Sequence, residues 1–205
     1  MGVPFTVLMP VFATEVLGGG AHTLGFLMAA SGMGALTGAL YLAGRTTVSG
    51  LGRVILSAVT LFGASLIGLG LSRQEWLSMA ALFGAGLGMM VQMASSNTIL
   101  QTIVDDDKRG RVMSFYSMAF MGMMPFGSLL AGFLASRIGA PRTVMLGGLA
   151  CLLAAAAFAR ALPALRAQVR PIYVRLGIVP ELAAGIQTAA EVGGLPGDAG
   201  ASRAR

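Results

Sequence analysis

Charged residues divide the chain into a series of strongly apolar stretches, which are uncharged apart from Glu15 in the first. The six stretches lie at residues 3–17, 24–43, 54–71, 76–98, 112–135 and 143–158. A helix needs about 20 apolar residues to cross the hydrocarbon core of a bilayer. The helical pattern of the fourth stretch continues to residue 103. The pattern predicts an all-α membrane protein with six transmembrane helices.

Polar segments between these stretches predict how the helices are connected. Residues 45–53 and 105–111 carry charges and glycines, and both are predicted to be polar loops. Residues 137–142 contain Gly139 and Pro141 and predict a tight turn.

The apolar pattern ends at Pro163. We therefore expect two parts, a transmembrane region at residues 1–163 and a basic cytoplasmic tail at residues 164–205. A proline followed by an acid predicts the start of a short helix at residues 180–192. The rest of the tail is expected to be disordered.

The first apolar stretch resembles both a signal peptide and a membrane span. It lacks the basic start of a signal peptide and carries Glu15, which favours a span that is cut short at its start. Because acids within a membrane are candidates for proton carriage, Glu15 is a candidate proton site. The alternative is that Glu15 lies at the outer membrane surface, since Gly18 follows three residues later.

Composition supports a membrane location. Of the 205 residues, 56% are hydrophobic and 11% are charged, and the mean hydropathy is +0.80. Soluble domains average roughly 25% charged residues. A soluble chain of this length also has too much surface for its volume to bury so much apolar material. A bilayer removes this constraint because it acts as an apolar solvent.

Basic residues predict the orientation of the chain. The formal net charge is +6, but no dense patch with interleaved aromatic residues is present, so no nucleic-acid partner is expected. With both termini in the cytoplasm, 11 of the 14 Lys and Arg residues lie inside, as the positive-inside rule requires. Those outside are Arg73, Arg137 and Arg142. We expect a multi-pass protein of the inner (plasma) membrane, surrounded by membrane lipid.

Residue patterns typical of enzymes are missing from the sequence. The single cysteine, Cys151, and the single histidine, His22, are far apart, and no metal-ligand spacing occurs. Neither a P-loop nor a His, Asp and Ser set is found. The sequence therefore predicts no enzyme, no metal and no cofactor, and transport is expected to be driven by a gradient rather than by ATP.

Polar residues are most frequent on the fourth stretch. Gln92, Ser95 and Ser96 fall within about 100° of one another on a helical wheel. Because an unpartnered amide in hydrocarbon is costly, Gln92 is expected to face a neighbouring helix or a polar cavity. Two interpretations stay open: hydrogen bonding between helices and a substrate pathway.

Two further features of the fourth and fifth stretches extend the candidate pathway. Pro125 lies near the middle of the fifth stretch and predicts a kink or a break, which either lines a cavity or serves packing alone. Methionines are frequent on both stretches and include Met93 and Met121. Methionine suits surfaces that accept varied ligands, although it also fills cores.

Pairs of small residues, four positions apart, predict close contacts between helices. They occur on the second, fourth and fifth stretches, as Gly34 and Gly38, Gly84 and Gly88, and Ser128 and Gly132. Helix packing without any further function is the favoured interpretation of all three pairs.

Two sets of motifs resemble a known family. The first set is Lys108-Arg109-Gly110-Arg111-Val112-Met113-Ser114 with Gly122, Pro125, Gly127 and Ala131-Gly132. The second set is Pro4-Phe5 with Leu8-Met9-Pro10, and Gly19-Gly20-Ala21 with Leu24-Gly25. The first set resembles the loop and eleventh helix of the major facilitator superfamily, in the branch of enterobactin-exporter-like and macrolide-efflux-like proteins. The second set resembles the seventh and eighth helices of the same branch.

The resemblance covers nearly the whole chain and aligns with the C-terminal six of twelve family helices. It implies one half of a major facilitator fold and the export of small amphipathic molecules, such as siderophores or drugs. By resemblance, Asp105, Arg109, Gly110 and Arg111 belong to an inner gating loop, and Arg45 belongs to a second signature loop. A second six-helix half or a homodimer is the expected partner. The alternative is a truncated, non-transporting membrane fragment or scaffold.

Overall fold

The structure is a computed structural model that describes residues 5–45 and 50–175, with side chains as far as residue 165. Throughout these residues the chain is all-helical and contains no strand. The helices are α1 (Phe5–Val11), continued by a π-helical turn (Phe12–Val16), then α2 (Ala21–Ala43), α3 (Leu51–Leu71), α4 (Glu75–Ile103), α5 (Asp106–Ile138) and α6 (Ala140–Arg175).

Five of the described helices, α2 to α6, are long and apolar enough to cross a membrane. The first apolar helix, Phe5–Val16, is shorter. The predicted all-α membrane class is therefore confirmed, with five spans supported by length and composition. The count of six spans remains a prediction.

One predicted boundary is wrong. The loop expected at residues 105–111 is largely the first two turns of α5, which begins at Asp106. Acids in a first turn stabilise the positive end of the helix dipole, so this charged segment is a favourable helix start. The apolar pattern ends at Pro163, but helix α6 continues through this proline to Arg175.

Glycine supplies the backbone conformation needed at two connections. Gly139, with φ of 86°, alone separates α5 from α6 and confirms the predicted tight turn. Gly50, with φ of 82°, directly precedes α3. Residues that have a Cβ atom rarely adopt such left-handed backbone conformations. The predicted helix at residues 180–192 and the end of the tail lie outside the described residues.

Helices α2, α3, α4 and α6 form the packed part of the bundle, in the lateral order α2, α4, α3, α6. Gly34 and Gly38 lie against the α4 backbone, and a Cβ on Gly38 would lie 3.0 Å from the Leu87 carbonyl oxygen. On the α3 side, Gly84 lies against the Ser65 side chain, and Gly88 lies against the backbone at Ala58. Two of the predicted small-residue contacts are thus confirmed.

Helix α1 enters the core although it is short. Its side chains Phe5, Leu8 and Met9 are buried, as are Phe12 and Ala13 in the π-helical turn. The Phe5 and Phe62 rings meet edge to face, with centroids 5.9 Å apart. In contrast, α5 has no buried residue and packs mainly against α6 and α1. The core therefore lies between α1, α2, α3, α4 and α6, with Leu27 as the α2 member, and α5 contributes no buried residue to it.

Candidate functional site

The polar residues of α4 form hydrogen bonds along their own helix. The Gln92 side-chain amide donates to the Ser96 hydroxyl oxygen at 3.4 Å, and both residues are half-buried. One turn further on, the Gln101 amide donates to the Asn97 side-chain carbonyl at 3.1 Å. The structure thus brings Gln92 and Ser96 together, and the bond between them leaves the second amide hydrogen of Gln92 available for another acceptor.

Ser95 differs from its polar neighbours. It has no solvent exposure, and its hydroxyl oxygen has no hydrogen-bond partner. Because it lies seven residues after Gly88, it shares the helix face that packs against α3. An unsatisfied buried hydroxyl destabilises a protein by about 1–3 kcal/mol. Ser95 is therefore either a source of strain or a group that gains a partner in another state of the molecule.

The candidate pathway residues on α5 are exposed at the surface of the described bundle. Met121 is 73% exposed and Met93, on α4, is 40% exposed. Pro125 is exposed as well, and α5 runs unbroken through it, so the proline does not break the helix. Helices α4 and α5 contact each other only lightly. The fold thus leaves the proline and methionines of α5 on a surface that the described residues do not cover.

Two cations of the predicted inner gating segment form ion pairs at the start of α5. The Arg109 guanidinium lies 2.6 Å from the Asp106 carboxylate, and the Lys108 ammonium lies 3.4 Å from the Asp105 carboxylate. Both pairs are solvent-exposed and three residues apart, so each contributes little to stability. Gly110 follows with open space around its α-carbon. Asp105 and Asp106 therefore neutralise Lys108 and Arg109 locally.

Arg45 reaches across the start of α3. A Cβ added to Gly50 would lie 3.2 Å from the Arg45 guanidinium nitrogen. The side chain thus lies against the Gly50 backbone, at the positive end of the α3 dipole. The other member of the predicted gate, Arg111, is exposed near the start of α5.

Glu15 lies in the π-helical turn that follows α1, and its side chain is exposed. Pro10 lies just before this turn, inside α1, where it removes one backbone hydrogen bond. The hydroxyl of Thr14 donates to the Pro10 carbonyl at 2.9 Å. π-Helical turns are frequent at functional sites. Among the described residues, no group of three His, Cys, Asp or Glu side chains could hold a metal ion.

A separate apolar cavity of about 140 Å³ lies between α1, α3, α5 and α6. Its deep wall includes Phe5, Leu66 and Val144, all of them buried. None of the pathway residues predicted from the sequence lines it. The sequence offered no signal for this cavity, because it depends on how four apolar helices cross.

Sequence reasoning also missed a buried polar contact at the α3–α4 connection. Ser72 and Ser78 have no solvent exposure, and the Ser78 hydroxyl donates to the Ser72 hydroxyl oxygen at 2.9 Å. The Ser72 hydroxyl in turn donates to the Gln74 carbonyl at 2.9 Å. The only available sequence signal was a serine on each side of a short polar turn.

Comparison with known proteins places this architecture in a family. The family described as "Transmembrane secretion effector" matches residues 3–174. The "Staphyloferrin A transporter" of Staphylococcus aureus is 26% identical over 151 residues, which is 74% of this chain. The chain spans 38% of the length of that relative. No solved structure gives a significant match. With its apolar spans and its family match over most of the sequence, the chain belongs to the transmembrane secretion effectors, within the major facilitator superfamily of transporters.

Proposed function

We propose that this chain is the C-terminal six-helix half of a gradient-driven exporter for small amphipathic molecules of the siderophore or drug-like class. In this proposal the termini are cytoplasmic and the protein resides in the inner (plasma) membrane. The family assignment itself supports transport rather than an enzymatic activity. The name of the staphyloferrin transporter supports a siderophore as the substrate class to test first.

The observation that carries the proposal is the isolation of α5. No residue of α5 is buried, whereas each of the other four long helices buries part of its apolar span. One exposed face of α5 carries Met121, Pro125 and Gly132, and a Cβ on Gly132 would have nothing within 4 Å. Small residues on an open helix face suit close approach by another helix. A second six-helix half, or a second copy of the chain, is the partner we propose for it.

The substrate path in this proposal runs between α4 and that partner. Gln92 and Ser96 supply polar contacts and Met93 and Met121 supply adaptable apolar ones, a mixture that suits an amphipathic ligand. Glu15 is the proposed proton carrier, because it is an acid next to a discontinuity in an apolar helix. The charged start of α5 and Arg45 form the proposed cytoplasmic gate.

Reconstitution in liposomes tests the proposal. The purified chain is assayed for gradient-driven efflux of a ferric siderophore and of a fluorescent hydrophobic dye, with cross-linking to report its oligomeric state. The same assay is repeated after co-reconstitution with a six-helix N-terminal half from a related transporter. We expect efflux only when a second half or a second copy is cross-linked to the chain.

Two results would contradict the proposal. Efflux by a proven monomer would show that one half is sufficient. Absence of efflux from every cross-linked assembly would instead favour a non-transporting fragment or scaffold. A neighbouring reading frame that encodes six matching helices would support the transporter over the scaffold.

A further inference from the structure

We infer that the apolar cavity between α1, α3, α5 and α6 binds the end of a single lipid acyl chain, which enters sideways from the bilayer. The cavity is separate from the proposed substrate path, and the inference does not rest on transport. It rests on the lining, the size and the opening of the cavity.

The lining selects an uncharged, apolar occupant. Thr143 contributes the only polar side chain, and its hydroxyl already donates to the Gly139 carbonyl at 2.9 Å. The remaining lining side chains are hydrocarbon, among them Leu8, Leu66 and Leu134. A buried water needs two to four polar partners, and this lining does not supply them. Hydrocarbon therefore fits the cavity and water does not.

The size selects a chain end rather than a whole amphipathic molecule. At about 140 Å³ the cavity approaches the roughly 150 Å³ of an apolar cavity that accepts one benzene ring. Pockets for drug-sized ligands measure about 300–1,000 Å³. If the cavity were empty, the side chains that line it would lack van der Waals contacts on one side. A few methylene groups at the end of an acyl chain restore those contacts.

The opening of the cavity faces the surface that meets lipid. Leu130 on α5 and Leu146 on α6 both line the cavity, yet they are 46% and 47% exposed. They form a rim, whereas Phe5, Leu66 and Val144 form a buried floor. Because α5 and α6 are both long and apolar enough to span the membrane, a rim on these two helices opens towards acyl chains. The apolar surface is thus continuous from the bilayer to the cavity floor.

Gly147 offers a direct way to close the cavity. It lines the cavity from α6, and a Cβ added to it would have nothing within 4 Å. Gly147→Leu therefore fills the space without displacing backbone. Gly32→Leu on α2 is the matched control, because a Cβ on Gly32 would also have nothing within 4 Å and Gly32 does not line the cavity. Ala131→Leu fills the cavity from the opposite wall and serves as a second variant.

Photo-cross-linking in nanodiscs tests the inference. The full chain is inserted into phosphatidylglycerol carrying a diazirine at the acyl terminus, and labelled peptides are mapped by mass spectrometry. We expect labelling concentrated on lining residues such as Leu66 and Val144, which ordinary lipid contact does not reach. Gly147→Leu and Ala131→Leu should reduce this labelling about tenfold, since they leave no room for a chain, whereas Gly32→Leu should not change it.

Two outcomes would overturn the inference. If Leu66 and Val144 of the unmodified chain take up no label, the cavity is dry or closed by protein. If both cavity-filling variants label as strongly as the unmodified chain, the label reaches these residues by another route. Either result leaves the proposed transport function standing, because the experiment measures no efflux.

Discussion

Gly63 of α3 and Gly148 of α6 each occupy the space that a side chain on the other would need. A Cβ on Gly63 would lie 2.9 Å from the Gly148 carbonyl oxygen, and a Cβ on Gly148 would lie 2.6 Å from the Gly63 carbonyl oxygen. This reciprocal contact brings the two backbones together where lipid provides no hydrophobic force between helices. The α3–α6 interface therefore depends on the absence of two methyl groups.

Gly148→Ala should lower the stability of the protein by about 1–3 kcal/mol, the usual cost of overpacking a filled interface. Thermal unfolding in detergent measures the effect. Gly147→Ala is the control at the adjacent position, where an added Cβ meets nothing within 4 Å. The control should be neutral or slightly stabilising, since alanine favours a helix over glycine. Equal melting temperatures for the two variants would show that the contact is not tight.

Ser78→Ala should destabilise the α3–α4 connection by about 1 kcal/mol. The substitution removes the only donor to the buried Ser72 hydroxyl that the structure shows, and a net hydrogen bond is worth about that much. Thermal unfolding again provides the measurement. Ser57→Ala on α3 is the comparison, because its hydroxyl bonds only within its own helix, to the Val54 carbonyl. A larger loss for Ser57→Ala than for Ser78→Ala would contradict the expected ranking.

Unlike Ser78→Ala, Ser95→Ala should stabilise the protein, by about 1 kcal/mol. The buried hydroxyl has no partner, so its removal relieves an unsatisfied group. If the same variant also slows efflux in a complete transporter, the hydroxyl gains its partner during the transport cycle. A loss of stability would indicate that Ser95 is already satisfied in the resting protein.

Gln92→Leu should slow substrate efflux about fivefold when this half is placed in a complete transporter, with little change in folding. The reason is the loss of one substrate hydrogen bond, worth about 1 kcal/mol. Gln101→Leu is the matched control, because that amide lies on the same helix and bonds Asn97. Equal efflux in the unmodified protein and in Gln92→Leu would favour a structural role for the Gln92–Ser96 hydrogen bond.

The predicted topology places Asp107 in the cytoplasm and Gln74 outside. Both residues are exposed in the structure, so a thiol at either position is accessible to reagent. In a Cys151→Ser background, an impermeant maleimide should label Gln74→Cys in intact cells, and Asp107→Cys only after permeabilisation. The reverse pattern would mean that the protein has the opposite orientation.

The sequence by itself determined the class of protein and most helix positions. Spans 24–43, 54–71 and 76–98 agree with α2, α3 and α4 to within about five residues at each end. This success has a local cause, since each membrane helix must be apolar and must satisfy its own backbone hydrogen bonds. The resemblance carried by the start of α5 likewise led to a family that the comparisons confirm.

Only the tertiary structure decided which faces of those helices meet. Membrane helices are apolar on every side, so hydrophobic periodicity does not mark the buried face as it does in a soluble protein. The Gly34 and Gly132 motifs look alike in sequence, yet the first is packed against α4 and the second is open. The contact between Gly63 and Gly148, the orphaned hydroxyl of Ser95 and the apolar cavity all arise from helix crossings, which residue spacing alone does not specify.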